Sequence, residues 1–76
     1  MKVKLKELSQ RVKALRKEKG AKQTDLASVL DCTYQHYQKI EYGQVNVSAT
    51  TLMMLANYFG VTTDYLLGRS DRRNEL

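Results

Sequence analysis

The chain holds a single cysteine and a single histidine among its 76 residues. One cysteine cannot form an internal disulfide. Cys32 and His36 together are too few for a four-coordinate structural zinc site. No apolar run approaches the roughly 18 residues that span a bilayer, and the basic N-terminus is not followed by a signal-peptide core. A cytoplasmic chain with no membrane partner is expected. Convincing spacing is also lacking for paired carboxylates, a phosphate-binding loop or a nucleophilic triad, so the reading is not that of an enzyme, and neither cofactor nor metal is expected. Cys32 and His36 stand four apart, but no third ligand or orienting carboxylate accompanies them. Cys32 is read as a small packing residue.

A chain this short is one domain, able to bury only about 60% of its unfolded surface. Its stability is expected to come from packed helices, aided by dimerisation. What the chain has in quantity is positive charge, and it is unevenly placed. The formal charge is +5 overall but +7 through residue 22, leaving −2 for the remainder. Such a front-loaded field draws polyanions, a phosphate backbone among them. Lysines that merely solvate a helix face account for the same pattern. The residues beyond 22 separate the two readings.

Residues 23 to 43 read as two short helices joined by a tight turn. Leu26, Ala27 and Leu30 form one apolar stripe at helical spacing, Asp31-Cys32-Thr33 breaks it, and Tyr37 with Ile40 forms a second stripe ending at Gly43. That is a helix-turn-helix. Its second helix turns Tyr34, Gln35, Gln38 and Lys39 outward together, and such side chains read base edges.

The flanking segments are helical too, and no persuasive sheet appears. Leu5, Leu8, Val12 and Leu15 predict an amphipathic helix over about residues 5 to 19, stopped at Gly20. The second helix is predicted over 23–30 and the third over 33–42 with Thr33 as N-cap. Residues 44–47 form a loop, and Ser48 caps a fourth helix whose Leu52, Met53, Leu55, Ala56 and Phe59 face inward before Gly60. Met53-Met54 and Tyr58-Phe59 are read as core and interface rather than a ligand box. Thr62 caps a last short turn carrying Leu66 and Leu67, closed by Gly68. The domain is expected over 1–68, with 69–76 a frayed polar tail. Residues 1–6 alternate apolar and basic, which suits an extended arm or edge strand as well as a helix start, and an arm is preferred to a strand without a partner. A basic arm of residues 1–5 that reaches round a duplex and a disordered terminus both remain open.

These residues resemble the Cro and phage-repressor class of helix-turn-helix regulators, the xenobiotic-response-element (XRE) family, over roughly residues 8 to 68. Arg11-Val12-Lys13-Ala14-Leu15-Arg16-Lys17-Glu18-Lys19-Gly20 is similar to its first helix and 23–30 to its second. Lys39-Ile40-Glu41-Tyr42-Gly43 is similar to its recognition-helix ending, and Gly60-Val61-Thr62-Thr63-Asp64-Tyr65-Leu66-Leu67-Gly68 to its closing segment. A lone helix-turn-helix match is weak, whereas four segments in register are specific. The resemblance implies an all-α, compact five-helix, λ-repressor-like domain with the helix-turn-helix formed by helices 2 and 3.

It also implies a division of labour. Tyr34, Gln35 and Lys39 match the principal base-facing positions, with Thr33 and Gln38 on the flank. Gln23 matches a phosphate-contacting residue that braces the recognition helix, and Tyr42 is a second phosphate candidate that can equally pack over the loop. Arg16 and Glu41 match a salt bridge tying the first helix to the end of the recognition helix. Thr63, Leu66 and the 44-to-48 loop match the dimer surface. The function implied is sequence-specific binding of double-stranded DNA by a homodimeric bacterial or phage transcriptional regulator, a repressor rather than an activator. The alternative is an antitoxin or other protein-interaction module with a toxin partner, using DNA binding for autoregulation.

Four positions depart from the family pattern. Lys22 stands where a capping Ser or Thr is usual. Asp31 replaces a turn glycine, and aspartate tolerates the left-handed conformation better than most residues. Tyr37 is larger than the usual Ile or Val and is expected to bring its hydroxyl to the surface. Val47 replaces a frequent proline, which leaves that loop less rigid.

Overall fold

The computed structural model describes residues 5–74. Among the described residues five helices follow one another, α1 over Leu5–Lys19, α2 over Gln23–Val29, α3 over Tyr34–Glu41, α4 over Ala49–Phe59 and α5 over Thr63–Leu66. No strand occurs among the described residues. The arm reading of residues 1–4 and the side chain of Leu5 lie outside them. Each helix falls within a residue or two of its predicted span. No described helix is long and apolar enough to cross a membrane.

The helices begin where short hydroxyl side chains replace missing backbone acceptors. Thr33 Oγ1 accepts from the His36 N–H at 3.1 Å, Ser48 Oγ from Thr51 at 3.1 Å and Thr62 Oγ1 from Tyr65 at 3.0 Å, each satisfying an amide that the first helical turn leaves unbonded. Lys22 has no such oxygen. The Asp25 carboxylate instead folds back to accept the Lys22 N–H at 2.8 Å, half of a reciprocal capping box.

All five helices end in the same way. Backbone N–H groups of Ala21, Cys32, Gln44, Val61 and Arg69 reach back to the carbonyls of Arg16, Ala27, Lys39, Ala56 and Asp64 at 2.9–3.1 Å. This closure needs a left-handed residue just before the donor. Glycine supplies it at Gly20, Gly43, Gly60 and Gly68, and Asp31, with φ 54°, supplies it in the helix-turn-helix. Gly68 is constrained twice, since a Cβ there would overlap Cγ of Glu7 on α1. The chain leaving α5 thus passes directly against the first helix.

The core gathers one stripe from each helix. Leu8, Val12 and Leu15 of α1 pack with Leu26 and Ala27 of α2, Tyr37 and Ile40 of α3, Leu55 and Ala56 of α4 and Leu66 of α5. α1 is the central element, touching α3, α4 and α5, while α2 pairs with α3. Two expectations are corrected here. Met53 is 58% exposed rather than inward-facing, because it lies roughly a third of a turn from the centre of the stripe made by Leu52, Leu55 and Phe59. The described part of the polar tail is hydrogen-bonded to the helices rather than standing free of them. Arg11 of α1 donates to the carbonyls of Tyr65 and Ser70 at 2.9 Å and to Asp71 at 3.0 Å. The Thr62 N–H donates to the Arg73 carbonyl at 2.8 Å, and Arg73 forms a two-pronged pair with Glu18.

Candidate nucleic-acid interface

The helix-turn-helix is held by the contact of α2 with α3. Ala27 is buried between α2 and α3 beside the fully buried Leu26 and Tyr37. A larger side chain at Ala27 would force the pair apart. Cys32 packs half-buried at the edge of the core, as its reading as a packing residue requires. Burial, with Asp31 adding to it, pushes its thiol above the ordinary range.

Beneath the crossing sits a buried charge. Glu41, at the last position of α3, has no solvent-exposed side-chain surface, and Arg16 keeps 13%. Oε2 of Glu41 accepts from Arg16 Nε and from the Tyr37 hydroxyl, both at 2.5 Å, while Oε1 accepts from Arg16 Nη2 at 3.3 Å and Gln23 Nε2 at 3.1 Å. Arg16 Nη1 also donates to the Ala21 carbonyl at 3.0 Å. Burial alone would push the Glu41 carboxyl up, but the hydrogen bonds from Arg16, Tyr37 and Gln23 outweigh it and hold the group below the usual carboxylate range. Burial and the neighbouring carboxylate push the Tyr37 phenol strongly upward. Tyr37 therefore points its hydroxyl inward to the carboxylate, correcting the expectation of a surface hydroxyl. The Arg16–Glu41 pair forms as the resemblance implied, and it recruits two further donors.

The network extends to the surface. The Tyr34 hydroxyl donates to Gln23 Oε1 at 3.2 Å and accepts from Gln38 Nε2 at 3.0 Å. Gln23 thus braces the start of α3. Tyr34, Gln35 and Lys39 are exposed, Gln38 and Gln23 are half-buried, and Thr33 is exposed with its hydroxyl engaged in the cap. Tyr42 stands 58% exposed just past α3. By helical spacing Tyr34, Gln35, Gln38 and Lys39 fall on the side of α3 away from buried Tyr37 and Ile40. Where α1 ends and α2 begins, an open cleft of about 400 Å³ is lined by Arg16, Ala21, Lys22, Gln23, Thr24 and Tyr34.

The expected dimer surface is only partly available. Thr63 is half-buried, and the 44-to-48 loop exposes Gln44, Asn46 and Ser48. Leu66 is wholly buried in the core of its own chain and offers no side-chain surface to a partner. Two contacts were not anticipated from the sequence, that of Tyr37 with Glu41 in the site and those of Arg11 with the tail. Tyr37 stands one helical turn before Glu41, so their spacing was the available signal. Arg11, which ties the tail to α1, had none, because two of its acceptors are backbone carbonyls.

Two short packed helices joined by a left-handed turn residue, with exposed polar side chains on the second and a buried ion pair at its end, define a helix-turn-helix domain. A family described as "Helix-turn-helix" matches residues 12–66, and the chain belongs to that family, in its Cro and phage-repressor (XRE) class. Two curated proteins are similar to it. The SPbeta prophage-derived uncharacterized HTH-type transcriptional regulator YonR of Bacillus subtilis (strain 168) is 41% identical over 58 residues, 76% of this chain and 54% of that protein. The HTH-type transcriptional regulator DdrOP3 of Deinococcus deserti is 33% identical over 60 residues, 79% of this chain and 46% of that protein. The chain spans about half the length of these relatives. No solved structure matches it significantly.

Proposed function

We propose that this chain binds double-stranded DNA sequence-specifically through the major groove, as a homodimer in the cytoplasm, and regulates transcription as a repressor. The observation that carries the reading is the outer face of α3. Tyr34, Gln35, Gln38 and Lys39 project from one surface, and their helix is fastened at its far end by Arg16 and Glu41. Glutamine can pair with adenine N6 and N7, and lysine can donate to guanine O6 or N7. Gln23 and Tyr42 flank that face as phosphate contacts, which position the helix without reading sequence. Both similar proteins carry names of transcriptional regulators, which supports the regulatory part.

One recognition helix covers too few bases for selectivity. A two-fold dimer places two of them about 34–36 Å apart on a near-palindromic site. With Leu66 buried, Thr63 and the 44-to-48 loop are the surfaces proposed for that dimer. The test is a mobility shift with duplexes selected from a random pool, repeated across salt concentrations. Gln35→Ala and Lys39→Ala lower specificity, Gln23→Ala weakens binding to every duplex, and affinity falls steeply with salt. Absence of salt-dependent binding to any duplex overturns the reading.

A further inference from the structure

An amide side chain can be turned over, exchanging the donor and acceptor it offers a base edge. On α3 a buried charge removes that freedom for one glutamine. Glu41 is ionised and can only accept, so Gln23 must present Nε2 to it and leave Oε1 directed toward Tyr34. An amide oxygen also only accepts, so the Tyr34 hydroxyl must donate to it. With its one proton committed, that hydroxyl accepts from Nε2 of Gln38. The polarity of the whole chain, Gln38 to Tyr34 to Gln23 to Glu41, is dictated from the interior outward.

Resting on the DNA-reading face proposed above, we infer that Gln38 specifies an adenine and that Tyr34 is the positioning residue that orients it. The remaining N–H and the Oε1 of Gln38 hydrogen-bond to nothing else among the described residues, leaving a donor and an acceptor side by side. Adenine alone presents the complementary pair in the major groove, an N6 donor beside an N7 acceptor, whereas guanine offers two acceptors, thymine an acceptor and a methyl, and cytosine a lone donor. Gln35, by contrast, makes no side-chain hydrogen bond among the described residues and is free to turn. The flanking glutamine is therefore the more selective of the two.

The experiment selects duplexes from a random pool with the full chain and then competes them against single-base variants. The wild type prefers adenine at one position of each half-site by about 5- to 150-fold, the range of a good bidentate contact. Tyr34→Phe, which keeps the ring and removes the hydroxyl, lowers that preference below about threefold, as does Gln38→Ala, and the double variant is no worse than Gln38→Ala alone. Gln38→Glu, with acceptors only, shifts the preferred base to cytosine. Thermal unfolding of Tyr34→Phe stays within a degree or two of wild type, since the hydroxyl is exposed, which separates orientation from folding. Side-chain amide resonances of Gln38 that are distinct in the wild type and collapse toward free-glutamine values in Tyr34→Phe give a readout without DNA. A Tyr34→Phe variant that keeps the wild-type adenine preference overturns this inference alone. A wild type that binds no duplex overturns it together with the reading on which it rests.

Discussion

Arg11 and Arg16 leave the same helix and perform the same chemistry in opposite surroundings. Arg16 meets a carboxylate with no exposed surface, and that carboxylate serves Tyr37 and Gln23 as well. Arg11 keeps 17% exposure, and its acidic partners Glu7 and Asp71 keep 42% and 98%. In the first region every donor depends on one acceptor that water cannot replace. In the second, water stands ready to replace each carboxylate, and the segment is held as much by backbone carbonyls as by charge. The tail side of α1 carries more ion pairs, and the single buried pair on the other side carries the larger consequence.

The largest expected effect comes from Glu41→Ala, which leaves Arg16, Tyr37 and Gln23 without their common acceptor. Loss of one partner of a buried pair costs about 3–5 kcal/mol, a large share of the stability of a domain this small. Urea denaturation measures it, and a loss under about 1 kcal/mol, the scale of an exposed pair, erases the contrast between the regions. Acid probes the same carboxylate. Its folded-state pKa lies below the ordinary value of 4.5, so its contribution is fully present above that value and is lost as pH falls through the folded pKa. The urea midpoint of the wild type drops as pH is lowered below about 4.5, while that of Glu41→Gln, weaker throughout, changes much less over the same window. Glu18, also held low by Arg73 but exposed, adds little to the slope.

Tyr37→Phe sharpens the comparison by removing one donor and leaving Arg16 and Gln23 in place. About 1–2 kcal/mol is expected, a hydrogen bond to a charged group, with Glu41 exposed to no new solvent. On the other side of α1, Gly68→Ala forces a side chain into a left-handed position against Glu7, and about 1–2 kcal/mol is lost. The smallest effect belongs to Asp71→Ala, whose thermal midpoint shifts slightly at low salt and not measurably at high salt. Should Asp71→Ala destabilise more than Gly68→Ala, charge rather than backbone geometry holds the tail.

The regular part of this fold was legible in the residues themselves. Gly20, Gly43, Gly60 and Gly68 marked four helix ends, and Thr33, Ser48 and Thr62 marked three starts, since capping is local chemistry. The aspartate in the turn was readable for the same reason, and it does adopt the left-handed conformation. Apart from the helical phase of Met53, errors arose where burial or a backbone partner set by distant parts of the chain decides what a side chain meets. Nothing local to Tyr37 says that Arg16 will draw the Glu41 carboxylate into the interior. A polar, charged run such as 69–74 reads as solvated, and its attachment through carbonyls to Arg11 and Thr62 leaves no trace in residue type. In the candidate site the outward set on α3 followed from helical spacing. The order of hydrogen bonds among Gln23, Tyr34 and Gln38 did not, because it depends on how closely α2 and α3 approach.

The Thr62 amide offers a way to watch the tail alone. At an N-cap this N–H is ordinarily open to solvent, yet here it donates to the Arg73 carbonyl at 2.8 Å. Its hydrogen-exchange rate therefore reports detachment of the tail, whereas core amides such as that of Leu55, in a fully buried position, exchange only through wider opening. If the Thr62 amide exchanges as slowly as Leu55, both ends of α1 open in one cooperative step with the recognition helix. Faster exchange at Thr62 makes the tail a separate unit that can come and go while the reading face stays assembled.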